Sequence, residues 1–134
     1  MIELFAIPTE EALDYWGDVE PLLSPAIELT GGRYNIKTVY NALEKGDMQL
    51  WLIMDNDEIK SATVTQIVLY ETGLRVLRFL FCGGGNAKSW LHHIESIKKW
   101  GKDLDCHKAD IFGRKGWSRS LGWKQTFAVM ECDL

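Results

Sequence analysis

Leu80-Phe81-Cys82-Gly83-Gly84-Gly85-Asn86-Ala87 is a stretch in which an apolar strand runs into three consecutive glycines and then into a helix. Upstream, Leu74 to Cys82 reads as a strand; downstream, Trp90, Leu91, Ile94, Ile97 and Trp100 recur at helical spacing. Glycines let backbone N–H groups converge on a ligand without side-chain hindrance. A helix beginning just after them offers its unpaired N–H groups and the positive end of its dipole to the same spot. Two readings are open from these residues alone: a cradle for a diphosphate, or a sharp turn with no ligand.

Outward from this stretch, the chain divides into short elements without a repeat, a low-complexity segment or a Pro/Gly/Ser-rich linker, so residues 1–134 are expected to form one domain. Ile2 to Ile7 is apolar, stops at Pro8 and reads as a strand. Thr9 is placed to cap a helix carrying Glu10 and Glu11 in its first turn, with Ala12, Leu13, Trp16 and Val19 on its apolar face. Pro21 and Pro25 should break or kink that helix. Gly31-Gly32 marks a loop, Asn35 caps a second helix bearing Ile36, Val39, Tyr40 and Leu43, and Gly46 ends it. Gln49 to Met54, Ile59 to Tyr70 and Leu74 to Cys82, separated by Asp55-Asn56-Asp57 and Glu71-Thr72-Gly73, predict an antiparallel meander. After the glycine stretch come the main helix, a strand over Ala109 to Phe112, a helical turn over Gly116 to Leu121 and a last strand over Lys124 to Cys132. The order is β-α-α-β-β-β-α-β-α-β, an α/β (mixed α+β) chain in which the second-half strand–helix–strand forms a right-handed crossover.

Composition narrows the function classes. Hydrophobic residues at 46% and charged residues at 25% are a globular profile. A net charge of −4 supplies no general basic face for nucleic acid, although Arg114, Lys115 and Arg119 form a local basic patch. The 3 cysteines, Cys82, Cys106 and Cys132, lack CxxC spacing, which points to free thiols in a reducing compartment. No His/Cys/Asp set has metal-ligand spacing, so no metal site is expected. Met1-Ile2-Glu3-Leu4 carries neither a basic segment nor a long apolar run, so no signal peptide or membrane span is expected and the expected location is the cytoplasm.

The element order, with the glycine loop between the fourth strand and the main helix, resembles the GNAT superfamily of acetyl-CoA-dependent N-acetyltransferases. The ending Gly113-Arg114-Lys115-Gly116-Trp117-Ser118-Arg119-Ser120-Leu121-Gly122-Trp123 is similar to the family's passage from a short helix through leucine and a Gly-aromatic pair into the last strand. The similarity is carried from about Arg78 onward. The spacing of Gly31 to Tyr34, Met48 to Trp51 and Gly113 to Trp117 is closest to short GNAT-like proteins of phages and prophages. The resemblance implies a mostly antiparallel mixed sheet with helices on both faces, coenzyme A as its acetyl thioester, and an amine acceptor on a small molecule or a protein. It implies that Gly83, Gly84, Gly85, Asn86 and Ala87 hold the diphosphate, with charge from Lys88, while Leu80, Phe81 and Cys82 line the pantetheine arm. The chain departs from the family where the glycines are contiguous and no Arg or Gln opens the loop. The family's tyrosine general acid would fall near Ser118, and no tyrosine follows Tyr70. A second implication stands beside the first: a non-catalytic GNAT-shaped phage protein that binds or assembles, as a homo-oligomer or on a phage structural partner, in host cytoplasm or virion.

For the amine's proton, the candidate bases are Glu71, Asp110, His92 and His93. Glu71 falls at a turn, where a solvated carboxylate is the ordinary state. His92 and His93 lie about 100° apart on the main helix, so at most one faces its buried side. Cys82 is either a thiol activated by a helix N-terminus or a small buried apolar residue. Trp90 and Trp100 are spaced for the core.

Overall fold

The structure is a computed structural model that describes every residue except Asn86, Arg114 and Lys115, and only the backbone at 87–89 and 116–118. The meander forms as its alternation and turns predict: β2 (Gln49–Asp55), β3 (Glu58–Leu69) and β4 (Arg75–Gly83) are antiparallel neighbours, with β1 (Ile2–Ile7) antiparallel on the outer side of β2. After α3 (Ala87–Asp103), β5 (Lys108–Ile111) returns parallel to β4, giving the five-stranded order β1-β2-β3-β4-β5. A short helix, α4 (Gly116–Leu121), follows.

Each face of the sheet is covered by different helices. α1 (Trp16–Glu28) and α2 (Ile36–Lys45) bury Val19, Leu23, Ile27, Val39 and Leu43 against Leu50, Leu52, Ala62, Val64, Leu80 and Phe81. On the other face α3 buries Trp90, Ile94 and Ile97 against Trp51, Ile53, Leu77 and Phe79. Trp90 is thus a core residue, and half-buried Trp100 meets Trp51 edge-to-face at 5.2 Å. Strand alternation sorts the side chains between these layers.

Three local expectations change. Thr9 does not cap a helix: residues Thr9–Tyr15 form a 3₁₀ segment preceded by Pro8, with no side-chain cap. Pro21 and Pro25 do not break α1, which is continuous through both. They stand four residues apart on the exposed face, where water satisfies the carbonyls that lose a donor. The strand expected over Lys124 to Cys132 is absent: those residues have no strand pairing, and Phe127, Val129 and Met130 are exposed. A strand exists only through its ladder, and β5 carries a partner on one edge alone. Trp123 instead packs beside Phe79, and Glu131 forms a 2.8 Å ion pair with Arg33. Asn35 does cap α2, in a reciprocal box with Thr38, and Gly46 ends it in the left-handed conformation.

At Gly83 a Cβ would overlap the carbonyl oxygen of Leu22 in α1, a backbone atom that cannot swing aside. Gly83→Ala is expected to lose about 1–3 kcal/mol of stability in a urea titration, as overpacked core sites do. Gly17→Ala, in open space on α1, should shift the same midpoint by less than ~1 kcal/mol and in the favourable direction.

Candidate functional site

β4 and β5 stay in register from Val76↔Lys108 to Phe79↔Ile111, and the Phe112 N–H closes the ladder on the Phe79 carbonyl at 3.2 Å. β4 then runs on through Leu80, Phe81, Cys82 and Gly83. Along that length β3 is its only paired neighbour among the described residues. Leu80 is an extra residue in the β3–β4 ladder, since Val64 pairs with Phe81 and Thr65 with Phe79. The bulge sends both Leu80 and Phe81 to the α1/α2 side, while Cys82 turns back toward α3. β5 thus ends level with Phe79, just before a bulge in β4 that leads straight into the glycines.

The turn is built tightly on one side and left open on the other. Gly83 rests on the α1 backbone at Leu22, and a Cβ at Gly84 would stand 2.7 Å from the Lys60 carbonyl oxygen. Gly84 and Gly85 have positive φ, +82° and +62°. Gly83 and Gly84 are thus fixed by close backbone approach, which is a physical reason for glycines to be contiguous here. Gly85 is exposed. Among the described residues no carbonyl or carboxylate accepts from the Gly84 or Gly85 amide. α3 begins two residues later and runs for 17 residues, long enough for a substantial dipole. Amides and a strand edge that lack partners among the described residues thus come together with a helix N-terminus. Asn86 lies outside the described residues, and Ala87 and Lys88 are placed as the first helical residues by backbone alone.

Cys82 is the apolar alternative rather than an activated thiol. Burial pushes its thiol well above the ordinary range, and the Thr63 hydroxyl, hydrogen-bonded to the sulfur, offsets only part of this. It belongs to a line of small polar groups under α3: Thr63, Thr65, which accepts from Trp51 Nε1 at 3.0 Å and donates to Gln49 Oε1 at 2.9 Å, and Ser61, whose buried hydroxyl has no hydrogen-bond partner among the described residues.

The other candidates do not converge on the turn. Glu71 is exposed in the β3–β4 turn, at the opposite end of β4, about 26 Å away at strand rise. Ser118 lies in α4, its side chain outside the described atoms, and Arg119 is exposed. His92 and His93 meet edge-to-face at 5.2 Å, with only His93 half-buried. Partial burial, then the neighbouring His92, lowers the His93 pKa. Asp110 sits on β5 next to the last β4–β5 pair and accepts a bidentate hydrogen bond from Arg78. The sequence reading passed over Arg78; its signal was a charge embedded in an apolar strand, with Asp110 as the matching charge in the next parallel strand. Among the described residues no cluster of His, Cys, Asp or Glu could hold a metal ion. None of their helices is long and apolar enough to cross a membrane.

No family model and no curated protein matches this sequence. The backbone, however, superposes along its whole length on solved acetyltransferases. A GNAT family acetyltransferase from Staphylococcus aureus subsp. aureus matches with a TM-score of 0.66 at 13% identity, over 99% of this chain and 98% of that one. This is the GNAT acetyltransferase fold. A predicted acetyltransferase from Clostridium acetobutylicum, solved with acetyl-CoA, shares it with a TM-score of 0.66 at 13% identity, over 99% and 96% of the two chains. AAC(6')-Iy, solved with a bisubstrate analog of coenzyme A and acetylneamine, gives 0.71 at 12% identity, over 100% and 98%. Among the described residues this fold is reached with a five-stranded sheet and a C-terminal segment outside it.

Because the thiolate is the reactive form, Cys82 and exposed Cys132 should differ sharply in alkylation. With iodoacetamide at pH 8, mass spectrometry should find Cys132 modified at least about tenfold faster than Cys82, the gap closing in denaturant. The folded-state pKa of Cys82 lies above its unfolded value, so the thiol costs nothing at neutral pH. Its contribution to stability is lost as pH rises beyond the ordinary thiol range.

Proposed function

We propose that this protein binds acetyl-CoA and transfers its acetyl group to an amine. One observation carries the reading: β4 runs on past the end of β5 after Phe79, and that edge, without a strand partner on the β5 side among the described residues, ends in a glycine turn whose amides lack acceptors among those residues, at the start of α3. The Gly84 and Gly85 amides and the α3 N-terminus would hold the diphosphate, with Lys88 adding charge from the first turn. The backbone of Leu80 to Cys82 would pair with the pantetheine arm as a missing strand would. The bound coenzyme supplies an activated thioester, and the chain's own part is to orient that group and to exclude a paired strand from the place it occupies. Superposable folds solved with acetyl-CoA and with a coenzyme A bisubstrate analog support this assignment.

The acceptor proposed is a small-molecule amine, the class acted on by the aminoglycoside acetyltransferases of the same fold. The cytoplasm, where its 3 free cysteines stay reduced, is the proposed place of action. The rival reading, a non-catalytic phage component, rests on the sequence resemblance and on the lack of tyrosine near Ser118. A seam filled by side chains would favour it, and an open groove between β4 and β5 would favour the enzyme.

Calorimetric titration with acetyl-CoA tests the proposal directly, and no heat at millimolar ligand would refute it. Gly84 is a poor probe, because any side chain there meets the Lys60 carbonyl. Gly85 is exposed and left-handed, a conformation Asp tolerates. Gly85→Asp is therefore expected to keep the melting temperature while weakening acetyl-CoA binding by about tenfold or more through like-charge repulsion.

A further inference from the structure

One register step before β5 ends, three side chains meet around Arg78. Its Nε donates to Asp110 Oδ1 at 3.0 Å, and its Nη2 donates to Asp110 Oδ2 at 3.1 Å and to the Tyr70 hydroxyl at 2.9 Å. The guanidinium carbon lies 4.2 Å from the centre of the Phe112 ring. Leu77, Phe79, Ala109 and Ile111 belong to the α3 side, so strand alternation puts Arg78 and Asp110 on the opposite face. The helix-covered core of that face takes in Leu80 and Phe81 but not Gln66, Val68 or Arg78.

The exposures show which charge this cluster presents. The Arg78 side chain is only 14% exposed, enclosed by the carboxylate, the phenol and the ring, whereas Asp110 is 40% exposed. Tyr70 and Phe112 are 43% and 56% exposed. A pair that served only to latch two strands would not need two aromatic rings left in water beside it. A carboxylate has about four lone-pair positions, and Arg78 uses two. What faces outward is a fixed carboxylate with acceptor capacity to spare, in a cluster whose Phe112 ring face is taken by Arg78 and whose Tyr70 ring is partly exposed.

We propose that this cluster anchors the acceptor by an ammonium group, so that the acceptor is a diamine or polyamine: Asp110 holds one nitrogen as its ammonium while another is presented to the free edge of β4. The proposal rests on the coenzyme reading above. From the Arg78–Asp110 level to Leu80 and Phe81 is two to three residues, about 7–10 Å at strand rise, which an alkyl chain between two amines can span. The anchored nitrogen keeps its proton and does not react. The presented nitrogen forms the bond to the acetyl carbonyl carbon as the carbon–sulfur bond breaks, and the proton it loses balances the thiolate that leaves. Asp110 is a specificity-determining residue in this scheme, and Arg78 a positioning residue that fixes its carboxylate.

The test compares α,ω-diaminobutane and α,ω-diaminohexane with butylamine and hexylamine as acceptors, after calorimetry has measured acetyl-CoA binding. The expected result is a kcat/KM at least about tenfold higher for the diamines, the scale of one charge-assisted hydrogen bond, falling as salt rises. Asp110→Asn should bring that ratio close to one by raising the diamine KM, with acetyl-CoA affinity unchanged as evidence of an intact fold. Independently of any variant, α,ω-diaminohexane should shift the backbone amide resonances of Asp110 and Phe112 in the wild-type protein. Absence of a diamine preference, its survival in Asp110→Asn, or absence of those shifts while acetyl-CoA still binds would overturn this proposal and leave the coenzyme reading standing. Failure of acetyl-CoA to bind would overturn both.

Discussion

The approach of α1 to the end of β4 fixes the rest of the arrangement. At Gly83 the helix backbone occupies the space where any side chain would begin, and at Gly84 the Lys60 carbonyl does the same. Two backbones this close leave no room for adjustment, so the turn is held from beneath rather than by side-chain contacts. That contact makes glycine at positions 83 and 84 a consequence of how α1 lies on the sheet. Leu22 acts through its carbonyl at Gly83 and through its side chain, which packs on the core and would lie 3.0 Å from a Cβ at Gly84.

The second constraint is the length over which β4 and β5 remain together. Four register pairs and the Phe112–Phe79 hydrogen bond close the seam below, and the bulge at Leu80 breaks the regular ladder above. Burial of Phe79 on the α3 side and of Phe81 on the α1/α2 side anchors the strand across this point, so β4 keeps its path although it has lost a neighbour. Tyr34 meets Phe81 edge-to-face at 5.3 Å and ties the α1–α2 connection to the same place. A strand edge exposed in this way is normally a hazard for association. Here it is short and lies between the glycine turn and the Arg78 cluster.

Polar groups inside the α3 face are arranged economically. Thr65 serves two partners at once, the Trp51 indole and the Gln49 amide, and the Thr63 hydroxyl meets the Cys82 sulfur. The unpartnered Ser61 hydroxyl is the exception, buried in the strand that carries the Lys60 bulge. These hydroxyls explain a Thr-rich β3 that alternation alone reads simply as a good strand former.

What the amino-acid sequence determined by itself was everything set by short-range periodicity and backbone chemistry. The meander followed from alternation and its two turns, α2 from the Asn35 cap and Gly46, α3 from its apolar stripe, and the glycine stretch announced a turn into a helix. What lay beyond it depended on partners distant in the chain. Lys124 to Cys132 has the pattern of a strand but finds no ladder, because hydrogen-bonded pairing is a property of two segments. Pro21 and Pro25 remain in a continuous helix because the fold turns them to water. Gly83 proved to be a packing residue only once α1 was seen lying on it, and Asp110 met Arg78 because the crossover over residues 84–107 returned it beside β4. Local preference is written residue by residue, whereas the pairing of two strands is decided by which contacts close on either side of it.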